Sequence, residues 1–392
     1  MLNTYYTENC LGLKDIILDK TEEIDFTKHF YIHMEKRIHK CPNCGCYTSK
    51  VHDYRYQVIK DIPAFGLRTV LHLKKRRHVC PECNKKFYED VHFLPKYQRS
   101  TNRLWTYTVS LLTKAVSMKY IAQEIGMSIT SVARMMDAVK YPLSNLPSVI
   151  SIDEFRGNSG GEKFQCILTN PKSKKVLDIL PNRKQEDLCK YFSQFENRNN
   201  VKFISMDMSG PFRYTMKLCF PNATIIADKF HVVRQVSWAF ENVRKRIQKS
   251  FGSDRRKYFK RSRQLLLKRP EKLTPDQLEQ VSNMLSLSKE LAVAYHLKNE
   301  FYRFMDSSDK YEAKKKLANW YLLAGTAKIP EFNKCVNTFS NWQHEILAAF
   351  ETGITNGFTE GCNNKIKVIK RTAYGMRNFD RFRNRILHSM SS

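Results

Sequence analysis

Val149-Ile-Ser-Ile-Asp153 decides the fold: it is an apolar, β-branched run that ends in an acidic residue. Runs of this length and composition form buried strands. Lys163-Phe-Gln-Cys-Ile-Leu168 and Lys175-Val-Leu-Asp-Ile-Leu180 follow closely with the same texture. Gly157, Gly160 and Gly161 separate the first two runs and Asn170-Pro171 precedes the third, so turns join them. Beyond them the pattern predicts a helix over 184–196, a strand over 201–206, a helix over 210–220 and a strand over 223–227. Three sequential strands followed by alternating helix and strand make a mixed sheet with helices packed on it. Residues 231–350 read almost wholly as helix. Thr274-Pro-Asp-Gln277 marks one start, with a capping Thr, a first-turn Pro and a returning Gln.

The acidic residues at the strand ends carry the chemistry. Asp153 ends the first strand and Asp207, in Phe203-Ile-Ser-Met-Asp207, ends the fourth. Carboxylates at the tips of two adjacent strands converge, and magnesium needs only two or three such oxygen ligands besides water. Two metal ions held this way clamp the attacking and leaving oxygens of a phosphodiester. Glu154, the next residue along, points to the other face of its strand. The third carboxylate is expected from a helix, and Thr355-Asn-Gly-Phe-Thr-Glu360 supplies it, with Asn363 and Asn364 near the same face. Lys367, Lys370 and Arg371 follow along that helix, suited to hold a DNA backbone or to form a solvated basic face.

Charge points to the partner. The 392 residues include 67 Lys and Arg against 38 Asp and Glu, a net charge of +29. A surplus of that size repels itself unless something anionic neutralises it; nucleic acid does so with release of counterions, and a merely soluble basic protein is the alternative that charge alone leaves open. The sequence holds no long apolar run and no signal-peptide pattern, so no membrane partner is expected and the chain reads as cytoplasmic, associated with the nucleoid. The length calls for more than one domain.

Cys41-Pro-Asn-Cys44 and Cys80-Pro-Glu-Cys83 are two knuckles, separated by strand-like runs at 54–63 and 70–77. Each places two thiolates around a tight turn, and the pair completes a closed, structural four-thiolate zinc site. Cys46 reads as a bystander rather than a fifth thiol ligand; His52, His72 and His78 could substitute as ligands but read as ordinary surface histidines on strands. Residues 96–103 read as a linker. A helical pattern over 104–139 follows, in which Ser117-Met-Lys-Tyr-Ile-Ala-Gln-Glu-Ile-Gly126 and a second helix opening at Ser128 form a helix-turn-helix. Its second helix offers Thr130, Ser131 and Arg134 to DNA.

The two knuckles, Ile152-Asp-Glu-Phe155, Ser205-Met-Asp-Met-Ser209, Asp228-Lys-Phe-His-Val232 and the segment from Thr355-Asn-Gly to Gly375-Met-Arg-Asn378 resemble, nearly end to end, the DDE-type insertion-sequence transposases of the ISL-three family. The resemblance implies a multidomain α+β chain: a zinc ribbon, a helix-turn-helix, and a ribonuclease-H-like mixed α/β catalytic domain with an all-helical insertion. The expected boundaries are 1–95 for the ribbon domain, 103–140 for the helix-turn-helix and 148–245 for the first catalytic part. The insertion is expected over 246–350, and 351–392 returns to the catalytic domain with Glu360. It implies that Asp153, Asp207 and Glu360 are the catalytic triad for two Mg2+ or Mn2+ ions, Asp153 bridging both, beside one structural Zn2+. Asp228 and His231 match an auxiliary Asp-x-x-His element, or else cap and pack a helix. Trp320 or Trp342 of the insertion either stacks on a distorted base or belongs to the core. The implied activity is binding of terminal inverted repeats, cleavage, and joining of 3′-hydroxyl ends to target DNA by a homodimer or larger assembly. The alternatives are a DNA-binding regulator without catalysis and a nuclease that does not join strands.

Overall fold

Ile59 faces Leu71 across two long paired strands, and both side chains are fully buried. These strands, β5 (Val51–Ala64) and β6 (Leu67–Val79), overrun the two short runs expected from sequence. Phe65 and Gly66 join them with φ of 55° and 75°. A two-residue loop with both residues left-handed matches the twist of the hairpin, and glycine adopts that conformation without steric cost. Ahead of the hairpin lie β1 (Ile16–Ile24), β2 (Thr27–Met34) and a small ribbon, β3 (His39–Lys40) with β4 (Tyr47–Thr48). With β7 (Lys86–Tyr88) added on β6, the sheet runs β1-β2-β6-β5.

The computed structural model describes residues 11–261 and 263–391, so the first ten residues of the expected ribbon domain lie outside it. The described chain divides into two compact units, residues 11–141 with 367–391 and residues 142–366. The C-terminal stretch expected to complete the catalytic domain is therefore split, Lys367 onward grouping with the first unit.

In the first unit, the stretch expected to be a linker is instead laced to β5. Lys60 bonds through its backbone to Arg99 and Thr101, and the Thr101 hydroxyl donates to buried Asp61 at 2.6 Å. Arg103 adds an ion pair to the same carboxylate. The physical reason is a non-local partner: Asp61 is buried and ionisable, and polar residues at 101 and 103 satisfy it. Thr101 then caps helix Asn102–Leu111, followed by helices Met118–Glu124 and Ile129–Asp137 around Leu104, Ile121 and Val132. Helix Phe379–Met390 closes this group. Its buried Arg385 donates to the carbonyls of Lys114 and Val116, both at 2.7 Å, and of Leu112. These are acceptors past a helix C-terminus, which a cation satisfies well.

In the second unit, β8 (Val149–Phe155), β9 (Gln165–Asn170) and β10 (Lys175–Leu180) form an antiparallel meander. The strands β11 (Phe203–Met206) and β12 (Thr224–Ala227) then run parallel to β8, in the order β10-β9-β8-β11-β12. Helices Gln185–Ser193 and Gly210–Cys219 belong to this mixed sheet. From Lys229 to Thr352 the chain is almost entirely helical, including the expected capping box at Thr274 and Gln277.

Both insertion tryptophans belong to the core. Trp320 is 1% exposed and its indole N–H donates to the Leu297 carbonyl at 2.8 Å, while Trp342 is 4% exposed beneath the Arg213 guanidinium. A stacking role for either is thereby corrected, because neither offers a free ring face. Nearby, Lys298 is fully buried, ringed by Phe240, Tyr295 and Tyr302, with one hydrogen bond to the Lys268 carbonyl at 3.2 Å. Burial pushes this amine down to about 7.

Candidate active site

Strand register builds the site. Met206 of β11 pairs with Ile152 of β8 on one side and Ala227 of β12 on the other, and all three are buried. The next residue along each strand is Asp153, Asp207 and Asp228, so three carboxylates form a row across adjacent parallel strands. Side chains alternate along a strand, and the row stands on the face opposite those core residues. Strand β8 itself runs two residues past Asp153, where the sequence suggested an end.

Asp228 also caps helix Lys229–Gln248, accepting from the Phe230 backbone at 3.3 Å. One turn later His231 returns to the row. Its Nδ1 lies 2.8 Å from Asp228 Oδ2 and 2.6 Å from Asp207 Oδ1. Burial opposes the imidazolium, yet the hydrogen bonds to Asp207 and Asp228 raise it to about 9. A single N–H on Nδ1 is shared between the two carboxylates, so neither Asp207 Oδ1 nor Asp228 Oδ2 has it alone. Together Asp207, Asp228 and His231 present ligand atoms within 4.8 Å of one another.

Asp153 is 8% exposed, and burial first, then the charge of Asp207, pushes its carboxyl up to about 7. Its Oδ1 accepts from the Glu154 backbone at 2.8 Å and its Oδ2 from Asn363 Nδ2 at 2.7 Å. Glu154, on the other face as expected, pairs with Arg183 at 2.5 Å. Crowded carboxylates, one pushed toward its protonated form and two sharing a single N–H, are a donor set that a hard divalent cation completes.

Asn363 belongs to helix Gly357–Thr372, which docks on β8 and β9 through one polar face. Asn356, just ahead of it, bonds to Ser151; Thr359 reaches Ser151 at 3.1 Å and Thr169 at 2.8 Å. Glu360 is exposed, and both it and Asp153 stand outside the 4.8 Å cluster of Asp207, Asp228 and His231. Docking through residues 356, 359 and 363 turns the Glu360 side chain to the flank of that face. Asn363 is the residue that touches Asp153, although sequence reasoning had placed it only near Glu360. The signal was readable: small polar residues spaced three and four apart mark a helix face that docks on other polar groups.

The four knuckle cysteines converge. Cys41 and Cys83 sulfurs lie 3.6 Å apart, Cys44 and Cys80 sulfurs 3.4 Å apart, and all four form one cluster. The Lys85 backbone N–H helps hold the Cys83 thiol down at about 6, toward the thiolate that zinc requires. Four sulfurs around one point fit a closed tetrahedral zinc site.

Among the candidate DNA contacts, Thr130 and Arg134 are exposed on helix Ile129–Asp137, with left-handed Gly126 (φ 63°) making the turn before it. Ser131 is half-buried and committed to the cap, its N–H 3.1 Å and its hydroxyl 2.9 Å from the Ser128 hydroxyl. Lys367 and Arg371 are exposed and Lys370 is half-buried. One surface escaped the sequence reading. On the helix of His231, exposed Phe230 and Trp238 flank Arg234, whose guanidinium lies 5.6 Å and 4.8 Å from the two rings. The spacing of four between these residues was the available clue.

A family model described as transposase, of the ISL-three type, matches residues 150–386. A second, described as the zinc-finger of transposase IS204/IS1001/IS1096/IS1165, matches residues 29–83. The transposase for insertion sequence element IS1001 of Bordetella parapertussis is 28% identical over 366 residues, 91% of this chain and 90% of its own length. The transposase for insertion sequence element IS1557 of Mycobacterium tuberculosis is 24% identical over 253 residues, 58% of this chain and 56% of its own length. A Lactococcus lactis protein named ATP-dependent protease is 33% identical over 108 residues, only 27% of this chain.

Proposed function

This chain belongs to the ISL-three family of insertion-sequence transposases with an N-terminal zinc ribbon, and from that premise we propose that it cuts DNA at terminal inverted repeats and joins the freed 3′-hydroxyl ends to target DNA. Asp153, Asp207 and Glu360 are the residues that would hold a pair of Mg2+ or Mn2+ ions. Bound there, the ions supply charge neutralisation for the phosphodiester and a more acidic attacking oxygen.

The observation that carries this reading is the row of carboxylates across β8, β11 and β12, in which Asp207 and Asp228 share one N–H of His231. Asn363 holds the Asp153 carboxylate in one orientation, and His231 with Asp228 holds Asp207 from the other side. Preset groups of this kind spare the site reorganisation when charge develops. Glu360 is one helical turn before Asn363, so it is a neighbour of the residue that touches Asp153. The exposed Phe230 and Trp238, with half-buried Arg234 between them, offer flat faces to unstacked bases next to the cut.

DNA recognition falls to the ribbon and the helix pair of residues 117–137, a helix-turn-helix whose second helix would enter the major groove with Thr130 and Arg134. Lys367, Lys370 and Arg371 would grip phosphates, two copies or more would bring the element ends together, and the ribonuclease-H-like description suits the mixed sheet.

A pre-cut terminal-repeat oligonucleotide, supercoiled plasmid and Mg2+ test the reading. Joined products that vanish in Asp153→Ala and Asp207→Ala support it. Binding with no cutting would instead make the chain a regulator, and nicking without joining a nuclease.

A further inference from the structure

The first unit holds a second group of ligand-type side chains that the four-cysteine site does not use. We infer that His39, His78 and Glu89 form a separate divalent-metal site, of zinc class, at the base of the long β5–β6 hairpin. Their ligand atoms lie within 4.8 Å of one another. The two imidazoles face each other with ring centroids 4.5 Å apart.

Sequence position does not explain why these groups meet, but pairing does. His78 lies one residue before the end of β6 and is registered with Phe87 of β7, and Glu89 directly follows that strand. His39 opens β3, the short strand that leads into the first knuckle. Thus three chain segments that converge on the four cysteines also bring these side chains together.

The decisive feature is unmet hydrogen bonding. His78 is 1% exposed, and neither of its ring nitrogens has a hydrogen-bond partner; His39 Nε2 is likewise buried and unpartnered. The Lys50 backbone faces the His78 ring without completing such a bond. Buried imidazole nitrogens are almost always satisfied by protein, water or metal. Glu89 is 2% exposed; its Oε1 accepts from the Arg76 backbone at 2.7 Å and its Oε2 from Arg76 Nη1 at 3.0 Å. Each carboxylate oxygen keeps a second lone pair, and Arg76 fixes the carboxylate's orientation as an outer partner does.

Two imidazole nitrogens and a carboxylate suit zinc and its borderline neighbours, whereas magnesium prefers an all-oxygen set. Three protein ligands leave a fourth position for water, and half-buried His39 gives it a way in. The ion would pin β3 and β7 to β6, so its function is to brace the knuckles.

Metal content of the full-length chain tests this. In an Asp153→Ala, Asp207→Ala background that takes the acidic row out of the count, protein saturated with zinc and then desalted should carry two zinc ions per chain, falling to one when either His39→Ala or His78→Ala is added. Cobalt substitution separates the two sites, because only the cysteine site gives a strong thiolate-to-cobalt charge-transfer band. That band should keep its full intensity in both variants while the second equivalent disappears. Should His78→Ala lose the band by misfolding, the half-exposed position His39→Ala decides. One zinc per chain in that background, or two retained after His39→Ala is added, overturns the inference; an ordered water would then fill the space between the rings.

Discussion

Replacing Asp153 by Asn should stabilise the metal-free protein while abolishing its response to magnesium. In the folded chain the Asp153 carboxyl titrates at about 7, raised from 3.8 by burial and by Asp207. In the unfolded chain it titrates at its ordinary value. Between those two values the folded state binds more protons than the unfolded one, so stability falls as pH rises and stays low above pH 7. Three units at 1.36 kcal/mol each put the loss at about 4 kcal/mol. Asparagine removes the charge and keeps the shape. Its Oδ1 can still accept from the Glu154 backbone, and its new amide can donate to Asn363 Oδ1, which is buried and unpartnered, once the Asn363 amide turns over. The assay is urea unfolding at pH 8 in magnesium-free buffer without chelator, so that thiolate-bound zinc stays in place. Asp153→Asn should gain up to about 4 kcal/mol over wild type. Magnesium at a hundred times its dissociation constant should raise the wild type by about 2.7 kcal/mol and leave the variant unmoved. A variant no more stable than wild type at pH 8 would refute the argument that this cluster is strained until a cation arrives.

Lys298 gives the opposite slope with pH. Its folded form releases a proton near 7 because it is buried, while the unfolded lysine holds it to 10.5, so stability should rise between these values. The gain from pH 7 to 9 should be about 2–3 kcal/mol in urea unfolding, and Lys298→Met should flatten that part of the profile. Glu360→Gln should lose strand joining while keeping affinity for terminal-repeat DNA, measured by fluorescence anisotropy beside the joining assay; undiminished joining would remove Glu360 from the metal ligands. Arg134→Ala should weaken binding to the terminal repeat by about 1–3 kcal/mol if it reads a base. If it holds a phosphate instead, the salt dependence should drop by about one contact with no change in sequence preference, and no effect of either kind would remove Arg134 from the interface.

Local signals were legible in the sequence because local rules generate them. Two thiols spaced by a Pro-x turn make a knuckle wherever they occur, and the four sulfurs do converge. Apolar runs made strands, Thr274 made its capping box, and acidic residues at the ends of such runs marked Asp153 and Asp207. The polar stretch at 96–103 was misread as a linker because its partner, buried Asp61, is remote in sequence.

What the amino-acid order determined by itself is the set of elements and the residues with chemical capacity. What only tertiary structure decided is which of them meet. Parallel register put Asp228 in line with Asp153 and Asp207, and the docked face of residues 356, 359 and 363 brought Asn363 to Asp153 while leaving Glu360 exposed. The same pairing buried His78, which reads in sequence as an ordinary strand histidine. Register and docking are set by non-local contacts, and a one-residue slip in either changes every neighbour without changing any local pattern.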